Sequence, residues 1–411
     1  MLTRRGWGTM VVGVAFLVAG RLLGALEFYV IGATAFVLLA GTLAWLQITR
    51  LDLDVARELH PPQVHAGSPS RVDLKVHNRG RRRTPVLNLR DAVAGTRGAS
   101  LLVAPLPPDG IDRAAYRLPT ERRGIVTIGP LEVVLNDPFA LTRVTMQATG
   151  VSELTVYPHV DDIDPVPQTS GNDPLAGAEH PNALGRGGED FYALRQYVVG
   201  DDLRRVHWAS TARHDELMVR QDEVPWQGRT TVLADVRAST NTEASLELVI
   251  SAAASTVTAG SRRQDLVRLV ATDGTDSGFA AGHAHIEAIL ERLASVEATN
   301  DSALRRVVDR LARSTSGGAL VVVAASIDPV DLDRLLRLRH RFGSVTLVQF
   351  EPSSWGDTDI PADPAAPARP SGASDPRAVV RVTADTPFPV AWRQAISRRR
   401  QGGNALAGRF R

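Results

Sequence analysis

The chain has no cysteine, and among its 47 Lys+Arg residues only Lys75 is a lysine. The first absence excludes disulfides, thiolate metal sites and cysteine nucleophiles, and is compatible with a reducing compartment. The second bears on nucleotide chemistry. No G-x-x-x-x-G-K-[ST] loop occurs, and "GRGGED" (185–190) has glycines without the lysine that would reach a phosphate. There is no G-x-S-x-G elbow and no H-E-x-x-H helix. An excess of either charge is also lacking: 47 Lys+Arg against 45 Asp+Glu leaves a net charge of +2, so bulk charge does not argue for nucleic acid as a partner.

Long apolar runs, by contrast, are present at once. "GWGTMVVGVAFLVAG" follows Arg4 and Arg5, and "FYVIGATAFVLLAGTLAWLQI" runs from Phe28 to Ile48 without a charge. The second run has the roughly 20 residues a spanning helix requires. The first reaches that length if Arg21 lies near its far end and snorkels to the headgroups. A cleaved signal peptide is the rival reading of the first run. A second run following directly, and Arg21 in the cleavage region, favour a membrane hairpin over residues 1–50. Arg4 and Arg5 precede the hairpin, Arg50 and Arg57 follow it, and the turn holds Arg21 against Glu27. The positive-inside rule therefore predicts that both termini and all soluble parts are cytoplasmic, on a plasma or inner membrane.

Residues 51–158 read as a small all-β, sandwich-like domain that spaces the rest from the bilayer. "RVDLKVHN" alternates Val72, Leu74 and Val76 with Arg71, Asp73, Lys75 and His77, as a half-buried strand should. "TPVLNLRD", "SLLVAPL", "RGIVTIGPLEVVLNDPFALTRVTM" and "SELTVYP" follow between Gly, Pro and Asn breakers. Residues 159–187 form a Pro/Gly/Asp linker. From 229 to 397, continuous apolar strands alternate with amphipathic helices, the mark of a mostly parallel sheet covered on both faces. The Pro/Ala/Asp/Ser segment 353–377 is an insert expected to be disordered, and 398–411 is a basic tail.

Two places invite a chemical reading. His283 and His285 in "GHAHIE" stand two apart, but a metal would need ligands from elsewhere. At the end of the first α/β strand, where open parallel sheets bind ligands, the sequence reads "ADVRAST". Asp235 and Ser239 would suit Mg²⁺, which wants oxygen donors. Arg237 stands where a hydroxyl should be, and its guanidinium can replace the ion by pairing with Asp235. No metal or other cofactor is therefore expected, with Mg²⁺ the doubtful exception.

The densest cluster is "GEDFYALRQYVVGDDLRRVHWASTARHDELMVRQ" (188–221), within a segment bounded at 188–228. Phe191, Leu194 and Val198 recur at helical spacing, and Gly200 fits a helix stop. Asp201 or Asp202 can cap a second short helix carrying Val206 and Trp208 on one side. "ELMVRQDE" alternates as an edge strand, and His207 reads as a packed or capping histidine. The charges either tie these pieces to the sheet through Arg–carboxylate forks or form a docking surface, for which Arg and aromatic residues are favoured. An enzyme built on Glu189, Asp201 and His207, and a metal-dependent binding module, are the competing classes.

Gly188, Glu189, Phe191, Leu194-Arg195, Tyr197, Gly200-Asp201, Arg204, His207-Trp208 and Ala212-Arg213 together resemble the signature of the bacterial family called domain of unknown function 58. The likeness extends to the hairpin, the β segment ending "RGIVTIGPLEVVLNDPFAL" and an α/β domain similar to the von Willebrand factor A fold. It implies a membrane protein working with a MoxR-type AAA+ ATPase in the assembly or maturation of other proteins, and with no catalytic motif in the chain the expectation is a non-enzymatic adaptor. Glu189, Phe191, Arg195, Tyr197, Asp201, Arg204, Arg205, His207, Trp208 and Arg213 are then the docking candidates, and the lipid bilayer and envelope proteins the further partners. A-type domains carry Asp-x-Ser-x-Ser where this chain has Asp235-Val236-Arg237-Ala238-Ser239. No acidic residue near "AASID" stands out as the third-loop ligand.

A reporter fused after Arg411 should report a cytoplasmic C-terminus, and external protease should spare the soluble domains in sealed cells. Digestion from outside would overturn this topology.

Overall fold

A computed structural model of the chain describes residues 2–49, 51–167, 191–197, 206–214, 216–222, 228–300, 304–314, 317–351 and 379–407. The chain divides into two units, Met1–His159 and Val160–Arg411.

The first unit begins with α1 (Arg4–Leu23) and α2 (Leu26–Ile48), both long and apolar enough to cross a membrane. Thr3 caps α1 by accepting the Gly6 amide at 3.1 Å. Gly24, at φ 70°, ends it in the left-handed conformation. The buried residues of α1 are Gly6, Gly13 and Gly20, a single stripe of small residues. On α2, a Cβ at Gly32 would lie 2.7 Å from Leu17, so the close approach of the two helices requires glycine there. Val11, Val12, Val14, Val18 and Leu22 point outward and are exposed.

Nine strands follow: β1 (Leu53–His60), β2 (Gln63–His65), β3 (Arg71–Asn78), β4 (Leu87–Val93), β5 (Ala99–Val103), β6 (Ile111–Arg117), β7 (Gly124–Asn136), β8 (Arg143–Thr149) and β9 (Ser152–Tyr157). β1, β3 and β6 make an antiparallel sheet in that order. The other six form a mixed sheet, β2-β9-β7-β4-β5 with β8 beside β7, in which β2 and β9 run parallel. Val72, Leu74 and Val76 of one sheet share a core with Leu87, Leu89, Ile128, Leu131 and Leu154 of the other. The alternation in β3 is buried at the apolar positions, as the sequence predicts.

A polar network crosses this core. Arg57 on β1 donates Nη1 to Asp91 Oδ1 on β4 at 2.9 Å, both side chains almost fully enclosed. Tyr116 on β6 donates its hydroxyl to Asp91 Oδ2 at 2.6 Å, and Arg57 Nη2 donates to Ser152 Oγ at 2.9 Å. Burial, and then the hydrogen bond to the Asp91 carboxylate, push the Tyr116 phenol well above its ordinary pKa.

In the second unit, β10 (Phe191–Gln196) and β11 (Met218–Asp222) pair antiparallel as a two-stranded sheet, with α3 (Trp208–His214) between them. β12 (Arg229–Ala234), α4 (Glu243–Arg262), β13 (Leu266–Ala271), α5 (His283–Ala294), α6 (Leu304–Arg313), β14 (Ala319–Ala324), α7 (Pro329–Arg337), β15 (Ser344–Phe350), β16 (Val379–Val382) and α8 (Phe388–Ala407) complete it. The main sheet is parallel throughout, in the order β13-β12-β14-β15-β16. All six residues of β14 are buried, which explains its unbroken apolar run. Thr242 and Ser245 form a reciprocal capping box at the start of α4.

Four features differ from what the sequence predicts. Residues 191–196 form a strand and not a helix; six residues cannot separate a 3.6-residue from a two-residue period, and the ladder to β11 decides. The helix expected to carry both Val206 and Trp208 starts at Trp208, because Val206 is bridged to Val219. β11 consequently has partners on both sides and is not an edge. α8 was not anticipated, although Phe388, Trp392 and Ile396 bury one face at four-residue spacing. Trp392 donates Nε1 to the Asp164 carbonyl at 2.7 Å, and the Asp161 amide donates to Ser255 Oγ at 2.9 Å. The opening of the linker segment is thus packed into this unit. Its continuation from 168, and the 353–377 insert, lie outside the described residues.

Asp91→Ala should destabilise the first unit by about 3–5 kcal/mol, since it leaves the Arg57 guanidinium buried without its counter-charge. Denaturant unfolding followed by near-UV circular dichroism measures this. A midpoint equal to wild type would mean that the network does not hold the sheets together.

Candidate functional site

The chain starts the parallel sheet at β12, adds β13 on one side, then crosses back to place β14 on the other. Strand order therefore reverses between β12 and β14, and the crevice beyond their carboxyl ends is where such sheets bind ligands. Asp235 leaves β12 at this point. Its amide still donates to the Val323 carbonyl of β14 at 2.9 Å, and the residue is fully buried.

The carboxylate of Asp235 is occupied by its own chain. Arg237 donates Nε to Oδ1 at 2.9 Å and Nη2 to Oδ2 at 2.7 Å, a two-point fork. Thr272 and Thr240 place hydroxyls 3.3 Å from the two carboxylate oxygens. On the far side, Arg237 Nη1 stands 3.7 Å from Asp331 Oδ2. Both carboxylates are buried, and the guanidinium between them is only 14% exposed. Burial works against the charged guanidinium. The hydrogen bond and charge of Asp235, with Asp331 and Asp328 behind it, outweigh burial and raise the pKa above its ordinary value.

Local structure sets each partner. Asn241 donates Nδ2 to the carbonyls of Asp235 and Arg237, folding the loop back on itself. The Ala238 amide donates to the Thr299 carbonyl at 3.1 Å, anchoring its outer side. Asp328 caps α7 by accepting the Asp331 amide at 2.7 Å, and Pro329 fits the first turn. That cap delivers Asp331 to Arg237. Asp331, which sequence reasoning does not single out near "AASID", is signalled by Asp-Pro-Val-Asp, an N-cap with an acid at the third helical position.

A Mg²⁺ ion does not fit these residues. It would need both the space and the oxygens that the Arg237 fork takes, and Ser239, the other candidate ligand, is exposed. Among the described residues no group of three or more His, Asp or Glu could hold a metal. His283 and His285 lie on the first turn of α5, and His285 Nε2 is 2.9 Å from the Val267 carbonyl.

The signature segment is a separate construction. The Tyr197 amide donates to the Leu217 carbonyl and the His207 amide to that of Met218, both at 2.8 Å. His207 caps α3: its Nδ1 accepts the Ser210 amide at 3.2 Å and lies 2.8 Å from Ser210 Oγ. Val206 and Val219 are buried, whereas Trp208 is 67% exposed and Arg213 is also exposed. Val206 and Trp208, expected on one side of a helix, thus part: Val206 is buried ahead of α3 and Trp208 is exposed at its first position. Glu189, Asp201, Arg204 and Arg205 lie outside the described residues. Phe191 and Arg195 are placed by backbone alone, on β10.

Arg237→Ala should destabilise the second unit by about 3–5 kcal/mol, because it strands the buried Asp235 carboxylate. Trp208→Ala should change stability by no more than about 0.5 kcal/mol, as at other exposed positions. Thermal and denaturant melts of both variants check this pair. A large loss for Trp208→Ala, or none for Arg237→Ala, contradicts the geometry.

Residues 193–354 match the family model described as "Protein of unknown function DUF58". No curated protein matches. Similar solved structures include the CARDB domain of a Pyrococcus furiosus protein in complex with di-metal ions. It is 18% identical over 26% of this chain and 93% of that one, with a TM-score of 0.21. The alkylpurine DNA glycosylase AlkC of Pseudomonas fluorescens, bound to DNA containing an abasic site analog, is 10% identical. It covers 26% of this chain and 31% of that one at a TM-score of 0.18. Likeness at this level carries no argument. The family match takes in α3, β11, the Asp235–Arg237 fork and the first four strands of the parallel sheet, so this segment is similar to the DUF58 family.

Proposed function

We propose that this chain is a membrane-anchored, non-enzymatic adaptor. The apolar hairpin holds it to a plasma or inner membrane, and the second unit is a von Willebrand factor A-type domain offered to a cytosolic MoxR-type AAA+ ATPase during assembly or maturation of other proteins. The ATPase partnership comes from the family resemblance. Support for the domain type is the parallel sheet with Asp235 at the end of its first strand. Two antiparallel bridges, Val267 with Ala280 and Val270 with Asp276, join the outer edge of β13 to the segment that follows it.

The observation that carries the docking role is Trp208. A large aromatic inside the family signature is two-thirds exposed on a short helix that His207 caps, beside exposed Arg213. Exposed Trp and Arg side chains are the residue types that dominate interface energies. The sheet-top crevice supports the same reading from another side, since an internal cation holds the position a divalent ion would take.

Association of the detergent-solubilised full-length chain with a MoxR-type ATPase from the same cells tests this. Trp208→Ala and Arg213→Ala should each weaken binding by about 2 kcal/mol or more while leaving the melting temperature in place. Arg204→Ala or Arg205→Ala, whichever faces outward, should behave alike. Unchanged binding in all of these variants would remove the docking role.

A further inference from the structure

The hairpin meets the β-sandwich of the first unit where Trp45 and Leu46 of α2 pack on its core, and again at the start of α1. The Thr3 amide donates to the Leu141 carbonyl at 2.8 Å, Thr3 Oγ1 donates to the Ala140 carbonyl at 2.7 Å, and Leu2 forms a bridge with Thr142. The receiving segment is the β7–β8 turn, "NDPFALT". Buried Asp137 organises it by accepting the Phe139 amide at 2.8 Å and the Thr142 amide and hydroxyl. The fit is close enough that a Cβ at Gly6 would fall 2.2 Å from the Leu141 oxygen. The turn is therefore fixed to the first turn of α1.

This contact sets the turn's depth. α1 has 20 residues, about the 30 Å needed to cross the hydrocarbon core. If α1 spans, its first turn lies at the headgroup level and carries residues 137–142 there with it. The side chains at that level are of the interfacial type: Trp7 is 55% exposed, Phe139 is 59% exposed, and Arg4 and Arg5 are exposed. Between α1 and the turn lies an open cleft of about 800 Å³ whose walls include Thr3, Arg4, Arg5, Asn136, Ala140 and Arg143. Three guanidinium groups and no carboxylate line it. Arg143 Nε donates to Asn136 Oδ1 at 3.0 Å, which steadies that wall.

We infer that this cleft binds the phosphodiester headgroup of an anionic membrane phospholipid, clamped by Arg4, Arg5 and Arg143 while Phe139 dips into the acyl boundary. The arginines match phosphate by charge and by two-point hydrogen bonding. The site gives the sandwich a fixed seat on the membrane instead of a tether that swings. It rests on the membrane-anchored reading of the hairpin.

The test uses the full-length chain in nanodiscs of phosphatidylcholine alone and of phosphatidylcholine with phosphatidylglycerol in equal parts. Native mass spectrometry reads the lipids retained on release. Phosphatidylglycerol should be retained over phosphatidylcholine by more than about tenfold. Arg143→Gln should reduce that preference about fivefold, and Arg4→Gln with Arg5→Gln should abolish most of it, at about one kcal/mol per arginine. Arg143→Gln leaves the charges that set helix orientation untouched, so its result stands if the double variant inserts poorly. Equal retention of the two lipids, or an unchanged preference in both variants, would overturn the headgroup site alone. Displacement of phosphatidylglycerol by excess inorganic phosphate would assign the cleft to free phosphate and overturn it as well. Failure of the wild-type chain to enter either nanodisc would sink the anchoring reading, and this site with it.

Discussion

The top of the parallel sheet depends on a single arginine between two buried carboxylates. Asp235 ends β12, Asp331 begins α7, and Arg237 joins them across the crevice where the strand order reverses. Without the guanidinium, Asp235 would stay buried with only weak hydroxyl partners, and Asp331 would keep only Arg334 at 3.6 Å, an arrangement that costs several kcal/mol. With it, the loop after β12 is fixed, α7 is held at its capped end, and the usual binding crevice is filled from within. A fork of this kind can be broken only by supplying another cation or by protonating the acids. That makes the crevice a joint in the scaffold, and it moves the search for recognition to the exposed signature helix.

The first unit uses the same device in a different setting. Arg57, Asp91 and Tyr116 come from three strands and two sheets, and they meet inside an otherwise aliphatic core. A buried polar network of this kind adds little net energy over an apolar one but specifies which strands lie opposite each other. Asp137 does the equivalent for the β7–β8 turn, and that turn receives the start of the membrane hairpin. Both units thus place a buried aspartate where register or docking must be exact to within one residue.

Much of the framework could be read from the order of residue types. Val72, Leu74 and Val76 alternate because one face of β3 is buried, and "ALVVVA" runs unbroken because β14 is buried on both. The pairing of Arg237 with Asp235 followed from charge and spacing alone. What failed were short pieces whose state is set by distant partners. "FYALRQ" fits a helix turn as well as a strand, and only β11, more than twenty residues away, decides between them. Trp208 looks like core by composition, but the bridge of Val206 to Val219 starts the helix one residue too late to bury it. Asp331 was hidden because its role depends on where α7 is capped and not on any motif in the strand before it.

Arg237 stands as the resident cation of this crevice. Calorimetric titration of the intact, detergent-solubilised chain with Mg²⁺ is the direct test. The wild-type chain should show no specific binding heat at any concentration below the millimolar range. Micromolar-range binding that disappears in Asp235→Ala would show that the carboxylate is free to take an ion, and would contradict that role.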